Sequence, residues 1–89
     1  MTVYVDDMRA EFFPPQAPGR RFIMCHMIAD TEDELHAMAA RIGVARKWYR
    51  GDHYDITLSK RRLAVAAGAQ EITWREAGER MCRRRRGTA

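Results

Sequence analysis

Several residues in this chain carry side chains able to do chemistry. Asp6 and Asp7 are adjacent carboxylates at the end of "TVYVDD", and neighbouring carboxylates can hold divalent ions for phosphoryl transfer. Three histidines follow, His26, His36 and His53, with Asp30, Asp52 and Asp55 close to them in the chain. Histidine with carboxylate is the donor set of a metal centre or a general base. The segment "HYDITLSKRR" then puts Lys60 and Arg61 in the first turn of an expected helix, behind Thr57 and Ser59. Free N–H groups and the positive end of the dipole make such a helix start an anion site. Basic residues there oppose the dipole unless an anion offsets them. His53 and Tyr54 are placed to stack on a base or hydrogen-bond to it.

Each of these has a plainer reading. A strand sends Asp6 and Asp7 to opposite faces, so only one reaches a shared cleft unless the strand breaks there. Asp6 is the better choice because it shares its side with Tyr4. No pair of histidines has a ligand spacing such as i and i+4 on one helix. Spacing therefore assigns no metal site, and a divalent ion stays an alternative cofactor. His36, on the border of an apolar helix face, reads as a flank residue bonded to backbone. The residues expected to line a ligand cleft are Asp6, His26, Asp30, His53, Tyr54, Asp55, Lys60 and Arg61, with no catalytic role assigned to any of them.

The elements that must position these groups are partly legible. Residues 2–7 and 21–29 read as strands, and the stretch between them, 10–20, holds all three prolines and reads as a loop. "DTEDELHAMAARIG" is a helix over 32–42. Thr31 and Glu34 form a capping box, Leu35, Met38, Ala39 and Ile42 share one stripe, and Gly43 terminates it. Residues 44–49 suit a third strand and 50–55 a polar turn. A second helix starts near Thr57 or Ser59 and ends at Gly68, burying Leu63, Ala66 and Ala67. Residues 70–74 suit a short strand, and a last helix, weakened by Gly78, runs into basic residues. Asp30, Ala39 and Gly43 are echoed by Asp55, Ala64 and Gly68, as two successive helix-then-strand units would be.

With 89 residues the chain holds one domain. Apolar residues are 46% and charged residues 31%, the balance of a globular protein rather than a disordered one. No apolar run approaches the ~20 residues a membrane span needs, and no leader peptide is visible, so a cytoplasmic protein is expected. Cys25 and Cys82 lie far apart and fit a reduced pair of thiols. The net charge of +4 is concentrated in Arg80 and the run Arg83 to Arg86. Without them acidic and basic residues nearly balance.

Three segments in order, "VYVDDM", "HMIADTEDELHAMAARIG" and "HYDITLSKRRLAVAAGA", resemble the small bacterial and phage family catalogued as domain of unknown function 4031. The resemblance spans most of the chain and implies a single-domain protein. It carries no activity and no residue roles. The Pro-rich stretch departs from the family, in which a tryptophan is often found there. Tyr-x-Asp-Asp also matches the string of reverse-transcriptase palm domains, but the remaining metal-binding Asp and the rest of a palm do not fit in this length.

The expectation is a small α+β domain over 1–79, a mixed sheet of three to four strands against two to three helices, followed by a basic, flexible tail over 80–89. Its core is expected from Val3, Val5, Ile23, Leu35, Met38, Ile42, Leu63, Ile72 and Trp74. Its expected function is to bind a phosphorylated small molecule or nucleic acid. The alternatives are a metal-dependent hydrolase or nuclease built on the Asp/His residues, and a protein-docking module built on Phe12, Phe13 and the prolines. A homo-oligomer is left open.

Overall fold

The computed structural model describes residues 2–87. Among them the order is β1 (Val3–Val5), β2 (Ala10–Phe12), β3 (Phe22–Ala29), α1 (Glu32–Ile42), a 3₁₀ turn (Arg46–Trp48), β4 (Tyr54–Thr57), α2 (Leu58–Ala66), β5 (Gln70–Glu71) and α3 (Trp74–Gly87). The α+β class holds, with five strands rather than three or four. No helix among the described residues is long and apolar enough to cross a membrane.

β3 is the spine of the sheet. β1 pairs antiparallel with its second half, Val5 opposite Met27, and β2 with its first half, Ala10 opposite Met24. β4 lies antiparallel along the other edge, with Met24, Cys25, His26 and Met27 facing Thr57, Ile56, Asp55 and Tyr54. β1 and β2 are thus one interrupted strand. Between the two pairings it takes five residue steps while β3 takes three. The surplus makes an irregular break at Asp6–Arg9, where Arg9 adopts φ 52, a left-handed conformation unfavourable for a residue with a Cβ. β5 adds to the far edge of β1, parallel to it.

Alternation along the strands sorts side chains between two layers. Val3, Val5, Cys25, Met27, Tyr54 and Ile56 pack beneath α1 and α2, joining Leu35, Ala39, Ile42 and Ala64. Tyr4 and Ile28 face the other way and pack with Ile72 and Ala77 beneath α3. Both faces of β1 are covered, so all three of its residues are buried.

α1 has the limits its capping residues dictate. The Thr31 side chain accepts from the Glu34 N–H, and Gly43 takes a left-handed φ of 81. α2 repeats the pattern: Thr57 caps it, and Gly68 follows with φ 107. In both units the carbonyl of the buried alanine, Ala39 or Ala64, accepts from the residue after the glycine. The echo between the two segments is therefore a repeated helix ending.

Several expectations are corrected, the first being that residues 10–12, read as loop, form β2. Residues 44–49 are not a strand: they form the 3₁₀ turn, Trp48 is half exposed, and Tyr49 alone bridges to Tyr54. Residues 54–57 are a strand rather than the tail of a turn, with Tyr54 and Ile56 inward. α2 buries Ala64, whereas Leu63 and Ala66 are exposed. Trp74 is 60% exposed and opens α3, because the Asp7 carboxylate accepts its N–H at 2.7 Å and Thr73 caps Glu76. α3 continues through Gly87, so residues 80–87 are helix, and only the last two positions of the proposed tail lie outside the described residues. Val3, Val5, Leu35, Ile42 and Ile72 are buried as expected, and Ile23 and Met38 are partly so.

Candidate functional site

The break between β1 and β2 decides where Asp6 goes. Its N–H still donates to the His26 carbonyl at 3.0 Å, but the chain then leaves the ladder and the carboxylate turns back onto β3. There Asp6, fully buried, accepts from the His26 backbone N–H and from His26 Nδ1, both at 2.7 Å, and from the Met8 N–H at 3.2 Å. Burial pushes its carboxyl up. The hydrogen bonds from the His26 ring and from the two backbone N–H groups outweigh that and leave it below the ordinary carboxylate range. An ionised carboxylate only accepts, so His26 Nδ1 carries a proton and Nε2 is the free end of the ring.

The β3–β4 register sets His26 directly opposite Asp55. His26 Nε2 lies 3.8 Å from Asp55 Oδ1, and His53 Nε2 lies 3.4 Å from the same oxygen. His53 repeats the arrangement of His26: its Nδ1 is held at 2.6 Å by Asp52 Oδ1. The two rings meet edge to face, with centroids 4.9 Å apart. Asp52 is held from behind by Arg85, whose Nη2 and Nε approach Oδ2 at 2.6 and 2.9 Å.

The electrostatics follow from this packing. The Asp55 carboxylate beside His53 raises the imidazole above its usual value, burial opposes that, and Asp52 adds to the rise. In return His53 lowers Asp55, against the burial that would raise it. Asp52 is pushed up by burial and brought below its usual range by His53 and Arg85. Two imidazole nitrogens and one carboxylate oxygen thus converge, with all donor atoms within 4.8 Å of one another. One cation could sit between these three atoms. All three residues are partly open to solvent.

Of the expected cleft residues, Asp6, His26, His53 and Asp55 come together here. The other four do not. Asp30 accepts from the Thr2 N–H and the Tyr4 hydroxyl and anchors the start of β1. Tyr54 is 1% exposed on the opposite face of the sheet, with its hydroxyl 2.7 Å from His36 Nδ1. Arg61 donates to the Asp6 carbonyl at 2.8 Å and to Glu71 at 2.9 Å. Lys60 reaches toward Gly43 at the end of α1. Asp52 is the member that sequence reasoning left out of the cleft. The Asp-His doublet two residues before Asp55, in "DHYD", was its one local signal.

A family described as "Protein of unknown function (DUF4031)" matches residues 3–84, and the chain belongs to that family. No curated protein and no solved structure matches it.

Proposed function

We propose that His26, His53 and Asp55 bind a divalent metal ion and that this member of the family is a metal-dependent hydrolase. The observation that carries the reading is the paired support of the histidines. Each Nδ1 is gripped by a separate carboxylate, Asp6 or Asp52, and each Nε2 faces Asp55. Outer carboxylates of this kind fix the tautomer and orientation of a metal-ligating imidazole. Three protein ligands leave a coordination position for water, as in catalytic rather than structural sites. The N₂O donor set suits a first-row divalent ion.

An ion held by His26, His53 and Asp55 would supply a nucleophilic hydroxide near neutral pH and polarise the substrate, so that one water would be added across the ester. The expected phosphate site at the start of α2 finds less support, because Arg61 is committed to Asp6 and Glu71.

Calorimetric titration with Zn²⁺ and Mn²⁺, and assay of the loaded protein on bis(p-nitrophenyl) phosphate, test the reading. Saturable one-site binding and metal-dependent release of nitrophenol are expected. Absence of binding by either ion sinks the metal centre; binding without any hydrolysis sinks the hydrolase.

A further inference from the structure

A cavity of about 350 Å³ lies between α3 and the ends of β1 and β3, lined among others by Tyr4, Asp30, Asp52, Arg80, Arg83 and Arg84. It adjoins the candidate metal centre through Asp52, which holds His53 Nδ1 with one oxygen and Arg85 with the other. None of the three proposed ligands lines it. Its wall at Asp52 is thus one hydrogen bond from the His53 ring.

Three arginines line this space, of which Arg84 already donates to the Ala29 carbonyl at 3.2 Å. Arg80 is stacked over the Tyr4 ring, 4.1 Å from its centroid, an arrangement that fixes the plane of the fork. Its Nε–H is buried and has no hydrogen-bond partner among the described residues, and its contact with Glu76 is long, at 3.4 Å. The two carboxylates that line the cavity are engaged elsewhere. Asp30 receives the Thr2 N–H and the Tyr4 hydroxyl, and Asp52 receives His53 and Arg85. Arg80, Arg83 and Arg84 outnumber the two carboxylates that line the space, Asp52 being paired with Arg85, and the planar guanidinium fork matches the oxygens of a phosphate. The volume is within the range of small-ligand sites.

We infer that this cavity is a second-phosphate subsite: the substrate is a phosphate ester that carries, beyond the group at the metal, a further phosphate held by Arg80 and Arg83. The inference rests on the metal-centre reading for the reacting end of the ligand and on the cavity alone for the remote end. Binding energy from a remote group of this kind is used to orient the reacting one. A nucleic-acid strand and a nucleoside bisphosphate share this chemistry.

The test is calorimetric titration of the full chain, metal-free and Mn²⁺-loaded, with thymidylyl-thymidine bearing a 5′-phosphate and with the same dinucleotide lacking it. The phosphorylated ligand is expected to bind at least tenfold more tightly, and Arg83→Glu and Arg80→Gln are expected to remove that preference while Mn²⁺ affinity stays within twofold. Arg83 is exposed, so its variant tests the subsite even if Arg80→Gln fails to fold. Equal affinity of the two dinucleotides for the wild-type protein overturns the subsite, whether or not Mn²⁺ binds. A retained preference in a protein that does not bind Mn²⁺ overturns the metal reading and upholds the subsite. A nucleoside 3′,5′-bisphosphate in a third arm identifies the source: tighter binding than the dinucleotide assigns a small molecule, weaker binding a strand.

Discussion

Two histidine environments lie on opposite faces of the same sheet, delivered by the adjacent residues Tyr54 and Asp55. On the α1 side, His36 donates to or accepts from the Tyr54 hydroxyl at 2.7 Å, and its ring meets Tyr49 and Tyr54 edge to face. Its Nε2 is buried without a hydrogen bond among the described residues, 3.7 Å from Glu32. Tyr49, pushed up to about 12 by burial and by the Glu32 carboxylate, stays a neutral donor to Glu32. On the α3 side, His26 and His53 are each held by an ionised carboxylate and turn their second nitrogens toward a third. An imidazole among phenols is part of the packing. Imidazoles backed by carboxylates and facing a carboxylate are set up to take a cation.

That contrast can be broken most directly at the proposed ligands. His26→Ala and His53→Ala are expected to lower Mn²⁺ or Zn²⁺ affinity by about a hundredfold or more, beyond the range typical of outer-shell changes, whereas His36→Ala leaves it within about twofold. Calorimetry reads both, and equal losses at all three histidines would erase the distinction between the faces.

One step smaller is Asp6→Asn. It keeps the shape but removes the charge behind His26, so metal affinity should fall by about 10–100-fold. Replacing this buried acceptor of three hydrogen bonds should also cost about 1–3 kcal/mol in the metal-free protein, measured by urea unfolding. The sign with pH follows from the lowered carboxyl. Its stabilisation is present above the unfolded value of 3.8 and is lost as pH falls through the lower folded value. The gap between wild type and Asp6→Asn should therefore close in acid, and a gap that persists at pH 2 would place the effect in packing rather than charge.

Smaller again, Tyr54→Phe should cost about 1 kcal/mol through the lost hydrogen bond to His36 with no change in metal affinity. A change in metal affinity would mean that the two faces communicate through β4. Lys60→Ala should be the mildest, within about 0.5 kcal/mol and without effect on binding of the phosphorylated dinucleotide. A tenfold loss there would restore the start of α2 as a phosphate site.

Much of the local architecture was legible in the chain. α1 follows from Thr31, Glu34, its apolar stripe and Gly43, all interactions within a few residues of one another. β1 and β3 announce themselves by composition, as does the choice of Asp6 over Asp7 by alternation. The misread segments are those whose state depends on distant partners. Residues 44–49 alternate like a strand but find no strand beside them. Residues 54–57 hold too few residues to stand out and become a strand only because β3 offers an edge. Trp74 looks like core, yet the carboxylate of Asp7, far away in sequence, starts a helix there and leaves the indole exposed.

The candidate site divides in the same way. Sequence alone determined which groups were on hand: three histidines, the aspartates near them and a concentration of arginines at the C-terminal end. It also fixed the faces of Tyr54 and Asp55 once a strand was granted, because neighbours on a strand point apart. Tertiary structure decided which groups meet. The two-residue surplus opposite β3 turns Asp6 onto His26, and the β3–β4 register puts His26 against Asp55. The passage of α3 across the sheet carries Arg80 to Tyr4 and Arg85 to Asp52. Each of these is a pairing between segments remote in sequence, set by the packing of both faces of the sheet, and no pattern within a short window encodes it.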